Sequence, residues 1–287
     1  MDHSVMPSKQ SYPAKKNRGR LRIGNDWNAI TIIALSQNNP LKAIAEFVEN
    51  SIDAQSKNIT IIRGREKGEQ YLQVVDDGNG IPQDSNGIPD FQYVATHICD
   101  SLKKRLKQEG ERNIQGEFGI GLLSFWTVGE KLSIISVGAD EKAYEMVMAK
   151  GKSGYEVRRR PHLLPQRGTA LKIAPLLPGL RTLNGEKLQR YLAAELRDRI
   201  KTSEVQIRVV DRISRIECRV EPREFSGRLL HDIPNLSTLS GNIYAELYLN
   251  DRSEDNHIQI FRSGTRVVSN LSSLDAFASE PWNMGLF

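Results

Sequence analysis

The apolar positions of the first half of the chain follow two different periods. Over residues 41–54, LKAIAEFVENSIDA, Ile44, Phe47, Val48 and Ile52 recur at helical spacing, which predicts an amphipathic helix with Pro40 at its first position. Residues 58–63 (NITIIR) and 71–76 (YLQVVD) are short β-branched runs and predict two strands joined by the charged turn GREKGEQ. A long segment, 77–118, rich in Gly, Asp, Asn and Lys, follows, with helix expected over 90–108. A stretch of that length between clear elements is more often functional than idle. Residues 119–129 (GIGLLSFWTVG) predict a short buried helix opening on glycines. Strands are predicted at 131–138, 142–150, 154–160 and 169–176, and a helix at 185–200 (GEKLQRYLAAELRDRI). The text then alternates as strands at VQIRVVD (205–211), IYAELYLN (243–250) and HIQIFRSGTRVV (257–268). Pro178-Gly179 and Asn184-Gly185 punctuate the chain, so a domain boundary is expected near 178–184.

Composition narrows the class. With 287 residues, 39% hydrophobic and 26% charged, the chain has the make-up of a soluble globular protein of one large or two ordinary domains. No window approaches 18 uncharged apolar residues, so no membrane-spanning helix is expected. The first residues lack the apolar core of a secretory signal. Cys99 and Cys218 make no disulfide framework, and with five scattered histidines they give no zinc spacing. A reducing cytoplasmic location is the expectation. Residues 1–24 carry Lys9, Lys15, Lys16, Arg18, Arg20 and Arg22 against Asp2, which is the whole formal net charge of +5. Such a basic arm is either a solvated tail or a contact for nucleic-acid phosphates or a partner chain.

Four short motifs carry candidate chemistry. Glu46 and Asn50 lie four apart on the predicted helix and project from one face, with Asp53 seven on from Glu46. The pair is either a solvated polar ladder or a carboxylate base beside an amide oxygen able to ligate magnesium. Asp76 ends a strand and opens DDGNGI (76–81), where Gly78 and Gly80 permit a sharp turn and close approach of a flat ligand. A partly buried carboxylate there needs a donor, which the amine of a purine would supply; a plain Asp-Gly turn is the alternative. In GEFGIGLLS (116–124), Gly116, Gly119 and Gly121 precede an apolar helix and would expose amide N–H groups to phosphate. Gly168-Thr169 heads a strand.

The order and spacing of these motifs, Glu-x-x-x-Asn, then Asp-x-Gly-x-Gly, then Gly-x-x-Gly-x-Gly, then Gly-Thr, resemble the GHKL ATPase superfamily over residues 25–175. That superfamily includes type II topoisomerase ATPase domains, 90-kDa heat-shock chaperones, MutL and MORC proteins, and histidine-kinase ATP domains. The resemblance implies the Bergerat fold, an α/β (α+β) sandwich with a mixed sheet covered on one face by helices. It makes Glu46 the general base, Asn50 the magnesium ligand, and Asp76 the acceptor for the adenine amine. It places Gly78, Gly80 and Ile81 at the ring and has Thr169 complete the pocket. Gly116, Phe118, Gly119, Ile120 and Gly121 would cradle the phosphates, and 83–118 would be a lid. Asp53 matches the family's Asn-Ser-x-Asp-Ala box and would hold the helix to the lid or to the strand of Asp76. Ser101 and Lys103 resemble a Ser-Lys pair of MutL- and MORC-like lids.

Within the superfamily, the carboxylate at Glu46 and the lack of an upstream phosphoacceptor helix argue against a histidine kinase. The third box looks more like MORC and heat-shock proteins than MutL. The resemblance divides the chain into an arm (1–24), an ATP-binding domain (25–180) and a smaller α/β transducer-like domain (185–287). The last would be incomplete, because the chain stops just after PWNMGLF, inside an expected strand. In the family a basic residue of that domain reaches the γ-phosphate, and Arg262 and Arg266 are the candidates. The implied activity is magnesium-dependent ATP hydrolysis coupled to lid closure and ATP-dependent homodimerisation, with DNA as a candidate partner. A nucleotide-gated binding module with negligible hydrolysis is the alternative.

Overall fold

The computed structural model describes residues 39–96, 121–161, 167–180, 182–230, 235–239, 241–251 and 258–270. The first helix, α1 (Pro40–Asp53), begins at Asn39, whose side-chain oxygen accepts from the backbone N–H of Leu41 at 3.0 Å and of Lys42 at 3.3 Å. Pro40 at the first position needs no such partner. The expected apolar stripe is the buried face: Ile44, Phe47, Val48 and Ile52, with Ala43, Ala45 and Ser51. Next come β1 (Asn58–Glu66), β2 (Glu69–Asp76), α2 (Phe91–Thr96) and a 3-10 helix (Gly121–Thr127). Strands β3 (Lys131–Val137), β4 (Ala143–Ala149), β5 (Tyr155–Arg160) and β6 (Thr169–Ile173) follow. Then come α3 (Gly185–Glu195), α4 (Arg197–Ser203), β7 (Gln206–Asp211) and β8 (Ile216–Arg219).

The strands form one eight-stranded sheet in the order β5-β4-β3-β6-β2-β1-β7-β8. It is mixed, because β1 and β7 run parallel while the other pairs are antiparallel. Helices cover one face, as in a Bergerat-type α/β fold. The register aligns inward residues into rows across the strands, because directly opposed residues share a face. One row is Ile134, Leu171, Val74 and Ile61, all buried. The next is Ser136, Thr169, Asp76 and Ile59. An apolar row against the helices is thus succeeded, at one end of the central strands, by a row bearing hydroxyls and a carboxylate. The core beneath α1 is closed by Leu123, Phe125 and Trp126 of the 3-10 helix and by Leu188 and Leu192 of α3.

The sheet and core continue past residues 178–184, where chain punctuation led to an expected boundary. Strand β7 pairs with β1 from Asn58–Gln206 to Arg63–Asp211, and Ile207 and Val209 are fully buried beside Ile59 and Ile61. The joint is locked by a buried ion pair. Arg63 Nη1 donates to both oxygens of Asp211 at 3.0 Å. Asp211 also accepts from Gly185 N at 2.9 Å, at the start of α3, and from Ile213 N and Ser214 N. Burial opposes its charge, but these N–H groups and Arg63 outweigh it and hold the Asp211 carboxyl below its ordinary value.

The helix expected over 185–200 is divided at Leu196, whose ψ of 18° turns the chain between α3 and α4. The expected strand 243–250 is also divided. Short pairs form there: β9 (Arg228–Leu230) with β12 (Leu247–Leu249), and β10 (Leu236–Thr238) with β11 (Gly241–Ile243). The segment 257–268 folds as a hairpin of β13 (Ile260–Arg262) and β14 (Thr265–Val268), turning at Ser263-Gly264. On the sheet face away from the helices, Glu145 accepts from Ser133 Oγ, Arg158 Nε and Arg160 Nε. Burial works to raise its pKa, yet Arg160, Ser133 and Arg158 together hold it at about 2. Among the described residues no helix is long and apolar enough to cross a membrane.

Removing one member of a buried, hydrogen-bonded ion pair leaves the other charge uncompensated, typically at a cost of about 3–5 kcal/mol. Arg63→Ala is therefore expected to lower unfolding free energy by about that amount in urea denaturation. The double change Arg63→Met with Asp211→Leu is expected to cost less than Arg63→Ala alone.

Candidate functional site

The site grows from the end of β2. Asp76 is 8% exposed, because α1 packs above it and β6 lies beside it. Its Oδ2 accepts from Ser51 Oγ of α1 at 2.9 Å, and its Oδ1 accepts from Gly78 N at 3.0 Å and Thr169 N at 3.2 Å. Burial raises the carboxyl pKa; the donors from Gly78, Ser51 and Thr169 oppose that rise without cancelling it. The carboxylate is thus a fixed acceptor, held by groups from a helix, a turn and a neighbouring strand.

The turn after Asp76 is stitched down on both sides. Asp77 accepts from Lys57 N and Asn58 N at 2.8 and 2.9 Å, at the head of β1. Asn79 N donates to Ala54 O at 2.8 Å, at the end of α1. Two glycines are dictated by space. A Cβ on Gly78 would fall 2.4 Å from Ser56 Oγ and 2.7 Å from Ala54 O. On Gly168, whose φ is +105°, it would fall 2.0 Å from Asp76 O. Gly80 (φ +72°) and Ile81 close the turn against Ser136, whose Oγ accepts from Ile81 N at 3.0 Å.

Glu46 and Asn50 occupy one stripe of α1, half-buried and exposed respectively. Asp53, expected to hold the helix to the lid or to the strand of Asp76, pairs with Arg199 of α4. The reason is proximity: α4 runs beside the end of α1 and presents a guanidinium with both partners largely buried. Between Glu46 and Asp53, Glu49 accepts from Thr265 Oγ1 of the β13–β14 hairpin. Arg266 is bound to Glu195 at 3.1 and 3.0 Å and lies over the Tyr191 ring, whereas Arg262 is exposed. Gly121 opens the 3-10 helix. Ser101, Lys103, Gly116, Phe118, Gly119 and Ile120 lie outside the described residues, as do the rest of the expected lid from 97 on and the basic arm. The first part of the lid segment is anchored: Asp84 Oδ1 accepts from Asn86 N and Ile88 N, and Phe91 is buried.

Two hydroxyls of the site were not singled out in the sequence. Ser51 stands within the Asn50–Ala54 box. Ser136 follows Leu132 and Ile134 in the inward phase of β3, so a polar residue at a core-facing position was its available signal.

A mixed sheet covered on one face by helices, with Asp76 at the end of a central strand beneath a helix bearing Glu46 and Asn50, defines a Bergerat-type domain. Residues 38–159 match the family described as histidine kinase-, DNA gyrase B-, and HSP90-like ATPase. The chain is similar to the DNA mismatch repair protein MutL of Thermodesulfovibrio yellowstonii, 31% identical over 137 residues, covering 48% of this chain and 23% of that protein. It is also similar to the chaperone protein HtpG of Borreliella afzelii, 28% identical over 164 residues, covering 52% of this chain and 26% of that protein. The matched stretch thus spans about a quarter of the length of these relatives.

Gly168→Ala tests the packing. A left-handed backbone costs a non-glycine residue about 1–2 kcal/mol, and the collision with Asp76 O adds to it. A stability loss above about 2 kcal/mol is expected in thermal denaturation, whereas Gly154→Ala, where a Cβ meets open space, is expected to change it by less than about 1 kcal/mol.

Proposed function

We propose that this chain binds ATP at the end of β2 and hydrolyses it, with Glu46 as general base and Asp76 as the adenine acceptor. The observation that carries the reading is the Asp76 carboxylate, buried yet braced by Ser51, Gly78 and Thr169. A buried acceptor so fixed is matched by the exocyclic amine of adenine, and the family match supports nucleotide as the ligand. The turn at Gly78–Ile81 and the Thr169 hydroxyl would frame the ring.

Phosphoryl transfer to water asks little covalent chemistry of a protein; positioning and electrostatics suffice. Glu46 takes the proton of the attacking water. The water oxygen bonds to the γ-phosphorus, and the bond to the bridging oxygen breaks, leaving ADP and phosphate. Asn50, one turn from Glu46 and exposed, fits a magnesium ligand as a single neutral oxygen donor. Among the described residues no group of three or more His, Cys, Asp or Glu could hold a metal, so the ion would arrive with phosphate oxygens and water as its other ligands. When bound, it neutralises phosphate charge. Gly116, Phe118, Gly119, Ile120 and Gly121 would supply the phosphate cradle and Ser101 and Lys103 would close with the lid. Closure would favour a homodimer joined through the arm, with the segment from 185 onward acting as transducer. The basic arm also makes duplex DNA a candidate partner.

Glu46→Ala should bind ATP but hydrolyse it at least about 100-fold more slowly in single-turnover assays, the contribution of a positioned base. Asp76→Asn should keep the fold and lose ATP affinity in calorimetry, since an amide presents a donor where the ring needs an acceptor. Unchanged hydrolysis in the first, or unchanged affinity in the second, would remove that residue from its role.

A separate measurement addresses assembly. Light scattering of the full chain should give a monomer mass without nucleotide and a shift toward the dimer mass with a non-hydrolysable ATP analogue. A mass unchanged by a saturating analogue would overturn ATP-dependent dimerisation.

A further inference from the structure

We propose that Ser136 is a positioning residue for the base end of the nucleotide pocket, setting the distance between the turn at Gly80-Ile81 and the head of β6 at Gly168-Thr169. This rests on the ATP reading above. Ser136 is fully buried and takes the inward position on β3 that follows Leu132 and Ile134. A buried hydroxyl is unfavourable unless it is hydrogen-bonded. Both capacities of this one are used, and both reach the site. Its Oγ accepts from Ile81 N at 3.0 Å and donates to Gly168 O at 3.4 Å.

Geometry makes the hydroxyl a spacer as well as a link. Ser136 lies directly opposite Thr169 in the β3–β6 pairing, and Thr169 lies directly opposite Asp76 in the β6–β2 pairing. A Cβ added to Gly80 would come within 2.8 Å of Ser136 Oγ and 3.2 Å of Gly168 O. The turn therefore rests on the hydroxyl at van der Waals distance. Asp76 fixes one end of the turn through Gly78 N, and Ser136 fixes the other through Ile81 N. Without Ser136 the Gly80 edge of the pocket loses its side-chain tie to β3, while the Glu46–Asn50 stripe on α1 is untouched.

The consequence is a division between binding and chemistry. Contacts at the base end are the same in ground and transition states, so loosening them raises KM and leaves kcat nearly unchanged. The test compares Ser136→Thr with Ser136→Val in the full chain, because threonine and valine have the same shape and differ in the hydroxyl. ADP affinity is read by calorimetry and ATP turnover by steady-state kinetics. Ser136→Thr is expected to stay within about threefold of the unaltered protein, and Ser136→Val to bind ADP about tenfold more weakly, the scale of one buried hydrogen bond. Its KM should rise in proportion, with kcat within about twofold.

Equal ADP affinity in the two variants, or a fall in kcat at unchanged KM, would overturn the proposal. Should Ser136→Val fail to fold, judged by tryptophan fluorescence and circular dichroism, Ser136→Ala takes its place. Loss of fold in both hydroxyl-free variants beside an intact Ser136→Thr would make the hydroxyl structural and overturn the positioning role. If the unaltered protein binds no adenine nucleotide, the ATP reading fails first and this inference falls with it. If it binds ADP and the variants do not separate, this inference alone fails.

Discussion

The carboxylate of Asp76 is the constraint on which the arrangement of the site depends. An ionised acid at 8% exposure is unfavourable unless donors meet it, and here they come from three separate pieces of chain. Ser51 requires α1 to cross above the end of β2. Gly78 requires the chain to reverse at once, and Thr169 requires β6 to start in register opposite Asp76. Each requirement fixes a backbone element, and the glycines at 78 and 168 follow, because any side chain there would strike Ser56, Ala54 or the backbone of Asp76. A buried polar network of this kind stabilises only when complete, so it selects one arrangement of helix, turn and strand.

The sheet separates this polar end from its mechanical support. One row back along the central strands, the inward residues are apolar and carry α1 and the 3-10 helix. At the far side the same function passes to an ion pair. Arg63 replaces an apolar residue in the inward phase of β1, and Asp211 does so on β7. Together with Gly185 N, they join the sheet to the start of α3. The charged partners neutralise each other, and the remaining acceptor capacity is filled by backbone N–H groups, which is the condition for tolerating such a pair in a core.

Much of this was legible in the sequence, and the parts that were not share a cause. The amphipathic stripe of α1, the strand pair 58–76 and the four strands between 131 and 176 follow from local periodicity, which needs no knowledge of partners. The mixed sheet and helical cover agree with the fold that the motif order implied. The break at Leu196 was invisible because Glu195 and Arg197, which flank it, each satisfy distant groups, Arg266 in one case and Glu246 with Tyr248 in the other. Long-range pairs leave no local trace. The partner of Asp53 was missed for the same reason: Arg199 lies 146 residues away along the chain. Ser51 and Ser136 were hidden differently, since serine is common and only its inward phase distinguishes it.

The helix α1 joins these long-range contacts to the site. Its successive faces hold different neighbours: Ser51 on Asp76, Glu49 on Thr265 of the β13–β14 hairpin, and Asp53 on Arg199. Gly264, in the hairpin turn, closes the triangle, because Arg199 N donates to its carbonyl and a Cβ there would meet the Arg199 side chain. Glu46 and Asn50 occupy the remaining stripe. A rotation of α1 that moved Glu46 by one residue's angle would carry Ser51 off Asp76 and Glu49 off Thr265 together. The orientation of the stripe is therefore set jointly by the carboxylate of the pocket and by a hairpin more than 200 residues away in sequence. Any displacement of that hairpin acts on the same helix that positions Glu46, through contacts that are side-chain pairs and not a continuous backbone.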